Sequence, residues 1–309
     1  MHISTYPINS IVTDLIEGTL VPFLGSGAHV GIANEALKPD GPGLAAALRT
    51  DMADAYPGKG DEPLALVAQI YESMVRDRPA LYMFLHQRLH ADLQMPEQPL
   101  PLRTLLHLPP RTRFRFIVTT NYDSYVENAF AAGGRPLCVV EQNMRNAIKG
   151  PRDLEVRLPD GELASEDAVN WNWSDDDRLP LGTTILYKIH GSVHRSAPSN
   201  DDLIITEDDY VEFLVNAGGS TAAFFPPTSL GSAFSKRYFL FLGYSISDWN
   251  LRAFLRVLEL RSAFRRKHLA LRRQPSELEV KLWERRNVEL ITGDIETLCA
   301  RVRQTVDEL

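Results

Sequence analysis

Four short clusters of glycine and polar residues in this 309-residue chain each follow an apolar run. The clusters are Gly25-Ser26-Gly27, Thr119-Thr120-Asn121-Tyr122-Asp123, His190-Gly191-Ser192 and Gly243-Tyr244-Ser245. They contain glycines that let a backbone approach a phosphate, an amide and a carboxylate two residues apart, and a histidine that can accept or donate a proton. These residue types make the four clusters candidates for a binding or catalytic site.

The first cluster has the composition of a phosphate-binding loop. Backbone N–H groups of a Gly-x-Gly turn can surround a phosphate, because a side chain at either glycine would block the contact. The spacing of Gly25, Gly27 and Gly31 is one residue longer than the dinucleotide fingerprint, and no GxxxxGK[ST] loop occurs in the chain. A plain tight turn explains these glycines equally well.

The second and third clusters contain the candidate catalytic side chains. Asn121 and Asp123 flank Tyr122, so both can face one way while the tyrosine turns toward the core. Capping of the next helix is the alternative for this pair. His190 can act as an acid or base, although a structural role stays open for a single histidine. A metal pair of His190 and His194 is disfavoured, because the glycine between them argues against a helix.

The fourth cluster follows the most apolar stretch of the chain. Gly243 and Ser245 come directly after that stretch, and Ser247 or Asp248 can cap the helix that is predicted next. The N-terminal dipole of such a helix favours an anionic group nearby. Ligand binding and helix capping are therefore compatible at this position.

Strand and helix patterns alternate along most of the chain, and this alternation predicts an α/β fold. The predicted strands that matter for the clusters are Leu20–Leu24, Phe114–Val118, Leu137–Val140, Thr184–Ile189, Leu203–Ile205 and Tyr238–Leu242. We expect a Rossmann-like, three-layer, mostly parallel sheet with helices on both faces, and a ligand outside the carboxyl ends of the strands. Residues 43–109 have helical spacing and form a predicted helical insertion, whereas residues 141–182 are polar and irregular.

Composition and charge exclude several classes of protein. With 33 Lys and Arg against 40 Asp and Glu, the chain has a net charge of −7, so nucleic acid is not an expected partner. The basic segment 251–273 is interpreted as a solvated or partner-facing surface. Cys138 and Cys299 are too far apart in the sequence for a redox pair or a thiolate zinc site. We find no membrane span or secretory signal and expect a cytoplasmic protein without membrane contact.

Five motifs in a fixed order give the chain a family resemblance. FLGSGAHVG, TTNYD, KIHGS, LIITEDDY and FLGYSISD resemble the bacterial sirtuin-like proteins over about residues 10–300, particularly the branch implicated in NAD depletion during phage defence. The resemblance implies a single NAD-binding domain over residues 1–309. Sirtuin deacylases carry four zinc-binding cysteines after the N-x-D element, whereas this chain has residues 141–182 in that place. No zinc or other metal is therefore expected.

The resemblance also implies roles for individual residues. NAD phosphates would bind at Gly25, Ser26 and Gly27, and further NAD contacts would come from Thr119, Thr120, Gly243 and Ser245, with Asp248 added by proximity. The implied catalytic residues are Asn121, Asp123 and His190. Asp123 would orient the nicotinamide carboxamide, Asn121 would hold a ribose hydroxyl or the attacking water, and His190 would act as the base.

The expected function is that of a NAD⁺ glycohydrolase, which cleaves the nicotinamide–ribose bond to give ADP-ribose and nicotinamide. Because such an enzyme must be held inactive in a healthy cell, the resemblance implies activation by a homo-oligomer or by a sensor partner protein. Two alternatives stay open. One is a non-catalytic sensor that binds NAD or ADP-ribose, and the other is a zinc-free protein deacylase or ADP-ribosyltransferase.

Overall fold

The computed structural model describes most of the chain, with gaps. The described residues are 1–28, 40–75, 77–90, 101–109, 114–142, 154–164, 171, 173, 179–193, 203–218, 228–244, 251–252, 254–255 and 266–309. All structural statements below concern these residues. Among them, no helix is long and apolar enough to cross a membrane.

Eight strands within the described ranges form one sheet. They are β1 (Leu20–Leu24), β2 (Phe116–Thr119), β3 (Leu137–Gln142), β4 (Leu154–Arg157), β5 (Thr184–Lys188), β6 (Tyr238–Leu242), β7 (His268–Arg272) and β8 (Val288–Thr292). Their order across the sheet is β4-β3-β5-β2-β1-β6-β7-β8. Every neighbouring pair is parallel except β3 and β4, which are antiparallel. The predicted α/β class with a mostly parallel sheet is confirmed.

Helices cover both faces of the sheet. The helices are α1 (Ile8–Ile16), α2 (Gly41–Met52), α3 (Leu64–Ile70), α4 (Arg78–His90), α5 (Pro101–Leu106), α6 (Tyr125–Ala132), α7 (Glu207–Gly218), α8 (Thr228–Phe234), α9 (Glu277–Glu284) and α10 (Ile295–Asp307). Successive strand residues point to opposite faces, so Leu20 and Leu24 of β1 pack with α1, α5, α6 and α10. Val21 and Phe23 pack with α7, α8 and α9 on the other face. Because both faces are covered, all five residues of β1, β5 and β6 are buried.

The segment predicted as a helical insertion contains helices α2–α5 and no strand in its described residues. Helices α2–α4 build a third apolar cluster of their own. Tyr122, Val193, Leu203 and Ile205 join this cluster from the edge of the sheet. The helical insertion, here called the helical module, therefore packs against the loops that follow β2 and β5, whereas α5 packs in the main core.

Two predictions about the loops are wrong in part. The segment 141–182 was expected to be irregular, but β3 extends to Gln142 and β4 adds an edge strand, with Val140 opposite Val156. Leu203–Ile205 was expected to be a strand, but it has no strand partner. Its backbone instead bonds to the His190 carbonyl and to side chains, which accounts for an apolar run outside the sheet.

Candidate active site

The sheet topology brings the sequence clusters to one edge. The neighbouring strands β5, β2, β1 and β6 are parallel, so their carboxyl ends meet at the same side. His190 lies beyond the end of β5, Asn121 beyond β2, Gly25 beyond β1 and Gly243 beyond β6. Strand β2 lies on one side of β1 and β6 on the other, so the strand order reverses direction at β1. In a doubly wound sheet, ligands bind at such a switch point, outside the carboxyl ends of the strands.

The glycines of two loops are explained by close packing of backbone on backbone. Gly25, Ser26 and Gly27, here the glycine loop, lie against Gly243, whose carbonyl accepts a 3.2 Å bond from Gly27 N–H. A Cβ at Gly25 would lie 2.8 Å from the Gly243 oxygen, and one at Gly27 would lie 3.0 Å from it. Gly243 has a φ of +77°, and its own Cβ would lie 2.1 Å from Ala28 N. The packing therefore requires glycine at Gly25 and Gly243 and leaves little space for a side chain at Gly27, before any ligand is considered.

Tyr244 is a site residue that sequence reasoning missed. Its hydroxyl donates to the Leu24 carbonyl at 3.0 Å and accepts from Thr120 Oγ1 at 2.6 Å. Thr119 Oγ1 also bonds to the Leu24 carbonyl, at 3.0 Å. Because these hydroxyls tie the ends of β1, β2 and β6 together, Thr119 and Thr120 hold the frame of the site. The hydroxyl of Tyr244 was not distinguished in the sequence from an ordinary buried aromatic ring.

Asn121 connects the end of β2 to the glycine loop. Its side-chain amide donates to the Gly25 carbonyl at 3.2 Å, and its backbone N–H donates to Thr119 Oγ1 at 3.0 Å. The side chain is half-buried, at the carboxyl edge of the sheet. Asn121 thus lies between the loop after β2 and the glycine loop, where it can contact a ligand at the carboxyl ends of the strands.

Asp123 faces the start of α6. Its carboxylate is buried and Oδ1 accepts a 2.8 Å bond from Tyr125 N–H, the first residue of the helix. Asp123 therefore bonds to the first N–H of α6 from the position before the N-cap, Ser124, whose own side chain makes no capping bond. Tyr122 turns into the apolar cluster of the helical module, as expected, and its hydroxyl donates to the Ile204 carbonyl at 2.6 Å.

A buried ion pair that the sequence did not reveal holds the Asp123 backbone. Lys188, the last residue of β5, is fully buried, and its Nζ donates to the Asp123 carbonyl at 2.6 Å and to Glu127 Oε1 at 2.7 Å. Burial raises the pKa of Glu127, while the charge of Lys188 opposes that shift. A lysine at the end of an otherwise apolar strand was the one available signal for this pair.

His190 is buried next to the β2 loop, with 3% of its surface exposed. A hydrogen bond between the imidazole ring and the Thr120 backbone raises the pKa of His190, which means that the ring is the donor. Nδ1–H therefore donates to the Thr120 carbonyl. Nε2 is buried and has no hydrogen-bond partner among the described residues. Burial lowers the pKa of His190 to about 3, and the Thr120 bond and the charge of Asp209 offset this only in part. The imidazole is therefore neutral, with Nε2 as an acceptor.

Three aromatic rings surround His190. The ring centroids of Tyr210 and Phe213 lie 5.5 and 6.1 Å from that of His190 in edge-to-face geometry, and that of Tyr122 lies at 6.3 Å. Beyond the histidine, Ser192 Oγ donates to the buried carboxylate of Glu141 at 2.6 Å. The polypeptide around His190 is thus fixed on several sides.

Three of the residues singled out in the sequence, Ser245, Asp248 and His194, lie outside the described residues. The prediction that Ser245 and Asp248 contact a dinucleotide stays a prediction. Within the part of the chain that is described, no group of three or more His, Cys, Asp or Glu side chains could hold a metal ion.

Comparison with protein-family models gives a match. Residues 115–291, more than half of the chain, match the family model of the SIR2-like domain. This range includes β2 to β8 and therefore Asn121, His190 and Gly243, but not the glycine loop. A search of curated proteins found no match.

Proposed function

Because the chain belongs to the family of the SIR2-like domain, whose members are often NAD-utilising enzymes, we propose that it is a NAD⁺ glycohydrolase. The proposed reaction cleaves the bond between nicotinamide and ribose and gives ADP-ribose and nicotinamide. We propose further that it is an antiphage effector that oligomerisation or a sensor partner activates, and that the purified protein cleaves NAD⁺ at a slower basal rate.

The observation that carries this proposal is the state of His190. A buried imidazole nitrogen without a partner among the described residues is unfavourable unless something else binds there. Because Nδ1 donates to Thr120, the ring presents Nε2 as an acceptor, and the low pKa keeps it neutral. A ribose hydroxyl or a water molecule is a donor that would satisfy this atom.

Each residue of the site has a limited task in the proposed reaction. The nicotinamide of NAD⁺ leaves as a neutral molecule, so the glycosidic bond needs no acid to protonate the leaving group. His190 accepts a proton or hydrogen bond at Nε2 from a ribose hydroxyl or from water. Asn121 orients the same hydroxyl or water, since its amide lies at the end of the adjacent strand. Asp123 keeps the loop in place by accepting the N–H of Tyr125 at the start of α6.

The pKa of His190 determines how strong this base is. A histidine with a pKa of about 3 is a weak base, and general-base catalysis is most effective near the operating pH. An oxocarbenium-like carbon is so electrophilic that the attacking hydroxyl or water can keep most of its proton until after the transition state. We therefore assign His190 the role of an acceptor that positions the nucleophile and takes its proton late.

The glycine loop can contact the diphosphate of NAD⁺ only through its solvent-facing surface, because its inner N–H groups are already used within the protein. The N–H groups of Gly25 and Gly27 already bond to the carbonyls of Leu242 and Gly243, and that of Ala28 bonds to Gly25. Ser26 is half-buried and Gly27 is exposed, so the outer surface of the loop is accessible. We propose that Ser26 makes the main phosphate contact and that the glycines provide close approach rather than a ring of donors.

The enclosure of His190 favours one second candidate. A histidine that is 3% exposed and packed among three aromatic rings is poorly placed to activate bulk water. A non-catalytic sensor that binds NAD or ADP-ribose would require the same fold and loops without access for water. The two functions differ in whether NAD⁺ is consumed.

The proposal is tested by following nicotinamide release from NAD⁺ with the purified protein and two His190 variants. In His190→Asn, the side-chain amide can replace Nδ1 as the donor to Thr120, but nothing replaces Nε2. In His190→Gln, the amide extends to the position of Nε2. We expect the Asn variant to lose at least about 100-fold in kcat, as is typical when a base is removed, and the Gln variant to retain more activity.

Controls separate the two candidates. The melting temperature is measured with and without NAD⁺ for each protein, because a ligand that binds only the folded state raises it. Stabilisation by NAD⁺ without consumption would identify the sensor. Equal nicotinamide release by the wild type and the Asn variant would overturn the role of His190, and neither consumption nor stabilisation would overturn both candidates.

A further inference from the structure

Arg78 joins the helical module to α7 through a buried cluster of charges. It is the first residue of α4 and is 8% exposed. Its Nη1 donates to Asp209 Oδ2 at 2.9 Å and to Glu72 Oε2 at 3.0 Å, and its Nη2 donates to the Leu203 carbonyl at 2.6 Å. Two carboxylates and a carbonyl thus compensate one buried guanidinium, the arrangement for which the planar fork of arginine is suited.

The carboxylate of Asp209 organises the start of α7. The same Oδ2 that binds Arg78 accepts bonds from the backbone N–H of Ile205 at 2.9 Å and of Thr206 at 2.8 Å. Thr206 Oγ1 in turn accepts from Asp209 N–H at 3.2 Å. The first turn of α7 is therefore held by a charge that Arg78 balances.

The segment held by this cluster also bonds to the candidate site. Ile204, next to the Leu203 carbonyl that Arg78 binds, donates its N–H to the His190 carbonyl at 3.2 Å and accepts from the Tyr122 hydroxyl at 2.6 Å. Tyr210 and Phe213 follow Asp209 within the next turn of α7, and their rings pack edge-to-face on His190. Two routes, one through backbone and one through rings, therefore lead from Arg78 to His190.

The helix that precedes Arg78 is itself irregular. Residues Tyr71–Val75 form a π-helical turn directly after α3, and Glu72 of this turn binds Arg78. Such turns occur often at functional positions of helices. Gln69 of α3 also accepts the N–H of Asp208 at 3.0 Å, so the end of α3 and the start of α7 meet at two points around Arg78.

We propose that Arg78 is a positioning residue for His190, and that the helical module sets the place of the imidazole through the Arg78–Asp209 contact. The kinetic part of this inference rests on the proposed NAD⁺ cleavage. Loss of the contact frees the start of α7 and the 203–206 segment, so the rings of Tyr210 and Phe213 move relative to His190. The glycine loop that would hold the diphosphate does not touch this cluster, so dinucleotide affinity is retained.

The test combines kinetics with an NMR signal that needs no turnover. The ring currents of Tyr210 and Phe213 act on the Cε1–H proton of His190, whose resonance is identified by its loss in His190→Asn. In Arg78→Ala we expect this resonance to shift, and kcat to fall by about 10- to 100-fold, the range for a misplaced catalytic group. KM should stay within about threefold of the wild-type value, because the binding loops are untouched.

Arg135→Ala provides a matched control. Arg135 also binds two backbone carbonyls, those of Leu106 and Leu108. It lies just before β3, at the amino ends of the parallel strands, whereas His190 lies at their carboxyl ends. It should change neither the His190 resonance nor kcat. Addition of guanidinium, below the concentration that unfolds the protein, should restore part of kcat and of the resonance in Arg78→Ala. If Arg78→Ala does not fold, Arg78→Lys is subjected to the same measurements.

The outcomes separate this inference from the proposed function. An unshifted His190 resonance together with a kcat within about twofold of wild type would overturn the role of Arg78, while NAD⁺ cleavage by the wild type would still stand. Equal effects of Arg135→Ala would also overturn it, since they would indicate general loosening. A wild type that does not cleave NAD⁺, with a shifted resonance in Arg78→Ala, would contradict the proposed function but support the positioning of His190.

Discussion

Replacement of Lys188 by methionine tests how the loop that carries Asn121 is held. Methionine keeps most of the apolar stem but leaves Glu127 without its partner at 2.7 Å. Removing one partner of a buried ion pair costs about 3–5 kcal/mol in free energy of unfolding. Lys188 is 0% exposed, and Oε2 of Glu127 is buried as well, although 24% of the Glu127 side chain is exposed. Burial raises the pKa of Glu127, so the orphaned carboxyl can take up a proton instead of staying charged, and we expect the lower end of the range, about 3 kcal/mol.

The assay is urea unfolding followed by tryptophan fluorescence at pH 7.5. In the Lys188→Met background, Glu127→Gln removes the uncompensated charge and should recover about 2 kcal/mol, since a neutral amide is cheaper to bury than a carboxylate. Lys281→Met is the control, because it breaks an exposed pair with Glu277, for which about 0.5 kcal/mol or less is expected. A loss below about 1 kcal/mol for Lys188→Met, or no recovery in the double variant, would refute this account of the pair.

Three further predictions concern loop packing and pH. Gly243→Ala should destabilise the fold by more than about 1 kcal/mol relative to the control Gly134→Ala in urea unfolding. Both glycines have a positive φ, but only a Cβ at Gly243 would collide, 2.1 Å from Ala28 N. Equal losses in the two variants would contradict the packing of the glycine loop on Gly243. Burial lowers the pKa of His268 to about 4 from 6.5, so the unfolded state binds more protons between these values and stability falls as the pH drops through that range. Nδ1 of His268 accepts the N–H of Phe239 at 3.1 Å, and Oδ1 of an asparagine can accept it instead. His268→Asn should therefore lose less stability on acidification, and an unchanged pH dependence of the melting temperature would contradict this. Since the pKa of His190 is about 3, kcat/KM for NAD⁺ cleavage should vary by less than about twofold between pH 8 and 5, whereas a loss of about tenfold by pH 5.5 would indicate a histidine that titrates normally.

Two strands whose bounds the sequence predicted correctly, Leu20–Leu24 and Tyr238–Leu242, are buried on both faces. Leu20–Leu24 is a continuous apolar run bounded by turn residues, and its bounds agree with β1. Leu154–Arg157 was missed because it is short, alternates with polar residues and pairs with β3 at the edge of the sheet. Leu203–Ile205 looked like a buried strand, but it is buried under the helical module rather than within the sheet. Burial alone therefore does not distinguish a strand from a tightly bonded apolar segment.

The location of the site followed from the sequence, but the direction of its side chains did not. Chain order and the parallel sheet were enough to predict that Asn121 and His190 lie at one edge. Whether Asp123 faces a ligand or bonds to the start of α6 depends on where the N–H of Tyr125 lies, which no local pattern specifies. The partners of Lys188 and Arg78 come from segments 61 and 131 residues away, and such pairings are set only by tertiary packing.

Product analysis in ¹⁸O-labelled water is the most direct measurement of the central claim, that Asn121 and His190 act together on the ribose of a bound dinucleotide. We predict that the wild-type protein, incubated with NAD⁺, releases nicotinamide and an equal amount of ADP-ribose that carries one ¹⁸O atom. Asn121→Ala and His190→Asn should each lower the rate of formation of both products at least about 100-fold while the fold is retained. Labelled ADP-ribose formed at the wild-type rate by either variant would contradict the account, as would bound but unconsumed NAD⁺ with the wild type.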